Sequence, residues 1–125
     1  MQELRALVDG YAVAADERDA AAFRALFADD AWLDVNGHRY EGADAIAGIP
    51  AKLARYERTL HLVSTHLVRD DGAGRPTGVA YCEAHHLADG GDRVLHLRYD
   101  DAYVRTGAGW RFASRTLTTV REEQR

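Results

Sequence analysis

Two histidines, His61 and His66, lie in the segment ERTLHLVSTHLV at residues 57–68, where two imidazoles could bind a metal ion or transfer protons. The segment has the pattern of a strand, and a strand sends successive side chains to opposite faces of its sheet. Because the two positions differ by an odd number, a regular strand separates the rings and puts His66 on the outer face. Unless a bulge intervenes, His61 and His66 cannot serve one metal ion.

The remaining histidines form no metal-binding motif. His85 and His86 are adjacent, so they too point to opposite faces of a strand, and no spaced motif such as HExxH is present among the six histidines. Cys82 is the single cysteine, which excludes both an intramolecular disulfide and a cysteine-rich zinc site. We therefore predict chemistry that uses no metal and no organic cofactor.

Asp16 is the acid best placed to act with His61. Residues 2–18 have helical apolar spacing, and Asp16 follows Val8 and Ala12 at the flank of the apolar stripe. A carboxylate there can fix the tautomer of an opposing imidazole, whose other nitrogen then serves as a general base. The alternatives are that Asp16 is a solvated acid at a helix end, beside other charged residues, and that His61 is an ordinary hydrogen-bonded strand residue.

Helices come first in the chain and strands follow. Asp19 can cap a second helix that ends at Asp29-Asp30, and residues 31–36 and 38–40 form a short hairpin around Asn36-Gly37. A third helical region opens at Gly42, breaks near Pro50 and resumes to about Tyr56. Glycine-rich turns then separate four strands at about 59–70, 76–88, 92–106 and 110–121, an antiparallel meander. This order predicts one α+β domain over residues 1–125, with helices on one face of a sheet and a pocket between them if the sheet curls.

Composition narrows the class of partner. The chain has 125 residues, a net charge of −4 and scattered arginines, which argues against nucleic acid. Its N-terminal segment has acidic residues and no long apolar run, so we expect neither a signal peptide nor a membrane span, and a cytoplasmic location. A small molecule is the remaining kind of partner.

Four stretches resemble one family: YAVAADERDAAAFRALFADDAWLDVNG, YEGADAIAG, ERTLHLVSTHLV and LRYDDAYVRTGAGWRFASRTLT. They are similar to SnoaL-like proteins of the nuclear transport factor 2-like superfamily, in the branch with scytalone dehydratase and hexachlorocyclohexane dehydrochlorinase. The resemblance implies a cone-shaped α+β barrel around a deep pocket, and a homodimer. It also implies that Asp16 and His61 match the aspartate and histidine that act together in that branch.

Other positions carry over from the same resemblance. Trp32 matches an aromatic that lines the pocket in some members, with a core tryptophan as the equal alternative. The dehydratase's second histidine falls near Cys82, where this chain lacks it. His86 shares that face and could substitute from further along the strand, but a residue at the rim or in solvent is the favoured alternative. The tyrosine that precedes the dehydratase's aspartate is Ala15 in this chain, so scytalone itself is a doubtful substrate.

A late strand supplies two further candidates. Tyr99 and Asp101 share one face of this strand, which we place toward the pocket, and Asp101 is the nearest match to the acid–base aspartate of the polyketide cyclase members. The alternative is that Asp100 or Asp101 pairs with Arg98 or Arg105 on a solvated face.

Two functions from different classes follow. The first is a cofactor-independent enzyme in which His61, oriented by Asp16, removes a proton beside an electron-withdrawing group, as in a dehydratase, isomerase or cyclase. The second is a non-catalytic holder of small ligands or an assembly module with the same fold. An epoxide hydrolase is a lesser option, because it needs several polar groups positioning a water.

Overall fold

The computed structural model describes residues 2–125. Two helices open the chain, α1 (Gln2–Asp16) and α2 (Ala20–Arg24), followed by the strands β1 (Phe27–Val35) and β2 (His38–Glu41). Two short helices, α3 (Ala43–Ile46) and α4 (Ile49–Lys52), lead through a 3₁₀ turn (Leu53–Arg55) into the second half. That half consists of β3 (Arg58–Arg69), β4 (Thr77–Ala88), β5 (Gly91–Thr106) and β6 (Gly109–Gln124).

The strands form one sheet in the order β2-β1-β6-β5-β4-β3. From β3 to β6 it is the predicted antiparallel meander, while β1 pairs parallel with β6 and antiparallel with β2. The sheet is not closed, in line with a cone-shaped, strongly curved sheet. Its concave face packs against the helices, as in the predicted α+β architecture.

Helix α1 carries the core stripe that the sequence predicts. Leu4, Val8 and Tyr11 are buried along it and pack into a cluster with α2 and the concave face of the sheet. The chain leaves α1 through Arg18, whose φ of 55° is in the left-handed region where glycine is usual. Asp19 then caps α2 by accepting a hydrogen bond from the Ala22 amide at 3.0 Å.

The segment around Asp29-Asp30 differs from the prediction. The second helix ends at Arg24, and both aspartates are exposed residues of β1 rather than the end of a helix. The β1–β6 register shifts between Phe27 and Trp32, which lets the two acids face solvent while their neighbours Ala28 and Ala31 stay buried. The sequence pattern suggested that this polar pair ends a helix. A bulge in the strand explains instead how two adjacent residues can both face solvent.

Candidate active site

The carboxylate of Asp16 and the imidazole of His61 are in direct contact. Asp16 Oδ1 lies 2.7 Å from His61 Nδ1, joining the last residue of α1 to the fourth residue of β3. Their side chains are 20% and 8% exposed, so the contact is largely shielded from water. An ionised carboxylate only accepts, so Nδ1 carries the proton and donates. In the neutral ring, Nε2 is then left as the basic nitrogen.

Asp16 occupies an unfavourable place for a negative charge, the C-terminal end of a helix. Two further donors compensate: the His61 backbone N–H reaches Oδ2 at 2.9 Å and the Thr59 hydroxyl reaches Oδ1 at 2.9 Å. Partial burial by itself would raise the pKa of Asp16, but the hydrogen bonds from His61 and Thr59 outweigh it and lower the pKa. Asp16 is therefore ionised at neutral pH and keeps the His61 ring in one tautomer.

The lowered pKa of Asp16 has a consequence for stability. Because the folded-state pKa lies below the ordinary 3.8, the ionised group stabilises the fold above that pH and loses this effect as the pH falls through the folded-state value. We expect Asp16→Asn to lower Tm at neutral pH, and the difference from the unsubstituted protein to shrink steadily below pH 3.8. The exposed neighbour Glu17, changed to Gln, is the control. A Tm difference for Asp16→Asn that did not change with pH would contradict the role of its charge.

The contact borders a cavity of about 190 Å³ between the helices and the concave face of the sheet. That volume is slightly more than the ~150 Å³ of an apolar cavity that holds benzene, so it suits a single ring with short substituents. Most of the lining is apolar, and the polar Asn36 and Thr119 bond to each other at 3.0 and 2.8 Å. The lining residues are Tyr11, Ala15, Phe23, Val35, Asn36, Ile49, Leu53, Arg55, His61, His86, Leu95, Leu97, Leu117 and Thr119.

His86 provides a second imidazole in this cavity. Its ring centroid lies 6.0 Å from that of His61, and its side chain is almost fully buried on β4. Burial is the main cause that lowers the pKa of His86, so the ring is neutral at pH 7. The Arg93 carbonyl, 3.1 Å from Nδ1, accepts a hydrogen bond from that nitrogen. Nε2 of His86 is consequently an acceptor, with no hydrogen-bond partner among residues 2–125.

The prediction that His66 lies on the outer face of the sheet was wrong. The β3–β4 register shifts between Val63 and Thr65, and this bulge at Ser64 turns His66 to the same face as His61. The two rings nevertheless serve different contacts, because His66 Nε2 lies 3.0 Å from the Tyr103 hydroxyl. No cluster of three or more potential metal ligands occurs within the described residues 2–125.

Four predicted site residues do not line this cavity. Trp32 is half-buried on β1, with the Arg39 guanidinium stacked 3.7 Å from its ring centroid. Tyr99 is on the concave face as predicted, but it is a core residue packed against Tyr11. Cys82 is also a core residue, and burial raises the pKa of its thiol to about 11.

Asp101 is the fourth of these residues. It faces the concave side but forms an ion pair with Arg115 at 2.9 Å, with both side chains 0% exposed. Of the alternative pairings, the one between Asp100 and Arg98 is present, at 3.0 Å on the partly exposed face. Asp101 pairs with neither Arg98 nor Arg105. Asp101 therefore has a structural partner and no access to the cavity.

Two contributors to the site were absent from the sequence-based prediction. Thr59 shares the face of His61 two residues earlier on the strand, so strand alternation could have placed its hydroxyl beside Asp16. Arg55 lines the cavity from the 3₁₀ turn, where no periodic pattern indicates which way a side chain points. A larger groove of about 510 Å³ on the opposite face of the sheet is lined by Leu62, Tyr81 and Val120, among others, but not by Asp16 or His61.

Helices packed on a strongly curved sheet, with a small apolar cavity between them, define the fold class of this protein. Residues 1–116 match the family model of the SnoaL-like domain, and the chain belongs to that family. No curated protein gives a sequence match. None of the helices within residues 2–125 is long and apolar enough to cross a membrane.

Solved structures share the fold over nearly the whole chain. A candidate scytalone dehydratase from Novosphingobium aromaticivorans DSM 12444 has a TM-score of 0.89 at 20% identity, covering 98% of this chain and 85% of that one. The hexachlorocyclohexane dehydrochlorinase LinA-type3 from Novosphingobium barchaimii LL02 has a TM-score of 0.87 at 16% identity, covering 98% and 87%. The Kfla4162 protein from Kribbella flavida is 28% identical, with a TM-score of 0.84 and coverage of 98% and 91%.

Proposed function

We propose that this protein is a cofactor-independent enzyme of the lyase or isomerase type, which removes a proton from carbon in a small, largely apolar substrate. The 2.7 Å contact between Asp16 and His61 at the wall of an apolar cavity is the observation that carries this proposal. Dehydration, elimination, isomerisation and cyclisation share this step, and the names of the dehydratase and dehydrochlorinase structures are consistent with it.

In this mechanism, His61 Nε2 accepts the substrate proton. Asp16 stabilises the imidazolium that forms and does not take the proton itself. The apolar walls exclude water, so the charge of Asp16 acts on the ring with little screening. The electron pair left on carbon expels a leaving group or moves into an adjacent carbonyl, and His61 then returns the proton to the product or the leaving group.

The test uses the proton-transfer step and needs no known substrate. The protein is incubated in D₂O with a panel of small cyclic ketones, β-hydroxycarbonyl compounds and cyclic halides. NMR then follows exchange of carbon-bound hydrogen for deuterium, and elimination. We expect at least one compound class to react at a rate proportional to protein concentration. Ligands that bind in the cavity without any exchange or elimination would favour the second candidate function, a non-catalytic binding module.

We also propose that the protein is a homodimer that buries the outer face of the sheet. Several charged side chains on this face have partners within the chain: Arg98 pairs with Asp100, and His85 lies 2.7 Å from Asp92 and 2.8 Å from Glu83. A second copy could therefore cover these residues without leaving their charges unpaired. Five large apolar side chains are exposed there: Leu60, Leu62, Leu67, Tyr81 and Val120.

A single charge in this apolar face tests the dimer. We expect light scattering to give the mass of a dimer for the unsubstituted protein and of a monomer for Leu62→Glu, because the glutamate would be buried without a partner. Val13 on α1 is similarly exposed, 55% against 52% for Leu62, but lies outside the sheet, so Val13→Glu is the control and should stay dimeric. A monomeric unsubstituted protein would contradict the proposal.

A further inference from the structure

Arg55 is the one arginine that lines the cavity beside the two histidines. The residue is exposed overall, so its guanidinium lies at the mouth, between solvent and the apolar interior. No carboxylate lies within ion-pair distance of it among residues 2–125. By contrast Arg93, which is close to the same wall, is paired with Glu122.

A chain of ring contacts ties Arg55 to the site. Its guanidinium carbon lies 5.0 Å from the centroid of the Tyr56 ring, and that ring packs 4.8 Å from His86. The Tyr56 hydroxyl accepts a hydrogen bond from Arg93 at 2.9 Å, which fixes the ring in place. His86 in turn packs edge-on against His61. The guanidinium thus contacts a ring that packs directly against His86, one of the two histidines of the cavity lining.

The backbone on either side of Arg55 is also held. Arg18 donates to the carbonyl of Leu53 at 3.0 Å and to that of Tyr56 at 2.6 Å, which bracket Arg55. Arg18 follows Asp16 closely, and its left-handed backbone is a conformation that costs a non-glycine residue ~1 kcal/mol or more. One side chain therefore joins the end of α1, which carries Asp16, to the turn that carries Arg55.

The cavity offers few other groups to a substrate. Asn36 and Thr119 bond to each other, and Nε2 of His86 is an acceptor, so Arg55 is the permanent cation of the lining. A guanidinium presents parallel N–H donors that match a planar carboxylate with two hydrogen bonds. A phosphate would be bulkier and dianionic, which a single arginine at the mouth of a cavity of about 190 Å³ serves less well.

We infer that the substrate is a single-ring compound with one carboxylate, which Arg55 binds at the mouth while the ring enters the apolar cavity beside His61 and His86. This inference rests on the proposed function, because it identifies the substrate class of the same site. Arg55 holds the substrate by a group remote from the reacting carbon and orients that carbon toward His61 Nε2.

Benzoate and benzamide test the inference, because they share size and shape and differ in charge. Binding of each is followed by NMR through the ring signals of His61 and His86, together with calorimetry at low ionic strength. We expect benzoate to bind about tenfold more tightly than benzamide, as a charge-assisted pair at a partly solvated site would give. Higher salt should reduce this ratio, since the mouth is open to solvent.

Arg55→Gln is the decisive variant, and Arg58→Gln is its control because Arg58 is exposed at the start of β3 and does not line the cavity. Arg55→Gln should bring the ratio to about one with benzamide affinity unchanged, while Arg58→Gln should preserve it. Equal affinities in the unsubstituted protein, or a preference for benzoate that survives Arg55→Gln, would show that Arg55 does not select a carboxylate. Either result would overturn this inference and leave the proposed function standing. If neither compound shifts the signals of either histidine, the cavity does not bind a ring of this size and this inference is wrong, while the deuterium-exchange and elimination panel decides the proposed function separately.

Discussion

Replacing either member of the Asp16–His61 pair should reduce the rate of proton abstraction ~10²–10⁴-fold, the usual contribution of a positioned general base. His61→Ala removes the base itself. Asp16→Asn keeps the shape but replaces an ionised acceptor with an amide, so the ring loses both its fixed tautomer and the stabilisation of its charged form. The rates are measured by the deuterium-exchange or elimination assay on whichever compound class the unsubstituted protein converts.

The double variant shows whether the two residues act as a unit. If Asp16 works through His61, adding Asp16→Asn to His61→Ala should cause little further loss. His85→Gln is the control, because His85 lies on the neighbouring strand and also contacts an aspartate, Asp92, at 2.7 Å, but lies outside the cavity lining. Circular dichroism and Tm establish that each variant is folded. Full activity in the folded double variant would exclude Asp16 and His61 as the proton-abstracting unit and would mean that another group is the base.

Two regular periods placed Asp16 and His61 on inward faces, while the resemblance to SnoaL-like proteins matched the two residues as a pair. Helical spacing set Asp16 at the edge of the buried stripe of α1, and the strand begins close enough to His61 that no irregularity intervenes. The apolar character of the cavity follows from the same patterns, since its walls come from the inward faces of α1, β5 and β6. Local periodicity is sufficient to predict the face on which a side chain lies when the element is regular between its start and that residue.

Bulges are the reason that the facing of His66 and the ion-pair partner of Asp101 could not be predicted. An extra residue reverses the facing of everything beyond it, and a shift that depends on strand twist and pairing leaves no local sequence signal. Ser64 reverses His66 in this way. In the β5–β6 hairpin, Thr106 pairs with Gly109, and an unbroken register from that pair would place Ser114 opposite Asp101. The shift between Ala102 and Tyr103 puts Arg115 there instead, in the core.

The parallel pairing of β1 with β6 was missed for a related reason. It joins strands from the two ends of the chain, and neither hairpin geometry nor alternation specifies such a contact. Asn36 marks its end, since the Asn36 amide donates to the Leu117 carbonyl at 3.0 Å. Because Val35, Asn36, Leu117 and Thr119 all line the cavity, this long-range pairing closes one of its walls.

The β5–β6 bulge brings Arg115 opposite Asp101, and the loss of this ion pair should destabilise the protein most. Arg115 donates to both oxygens of Asp101, at 2.9 and 3.4 Å, and its guanidinium carbon lies 3.6 Å from the Tyr99 ring centroid and 4.2 Å from that of Tyr11. Tyr103 adds a longer contact to Asp101 at 3.4 Å. Because Tyr11 also lines the cavity, this buried cluster supports the wall of the site from behind.

Arg115→Met should therefore lower the free energy of unfolding by ~3–5 kcal/mol, because it leaves the Asp101 carboxylate buried without its charge partner. Removing the carboxylate as well, in Asp101→Val with Arg115→Met, should recover most of this loss, since an apolar pair of similar volume requires no desolvation of charge. Arg5→Met is the matched control: it breaks an arginine–aspartate pair with the same 2.9 Å distance, Arg5–Asp9 on α1, whose side chains are 41% and 53% exposed, and should cost at most ~1 kcal/mol. Urea unfolding measures all three. A double variant no more stable than Arg115→Met would mean that the guanidinium acts mainly through its stacking on Tyr99 and Tyr11. A loss equal to that of Arg5→Met would mean that the buried pair contributes no more than an exposed one.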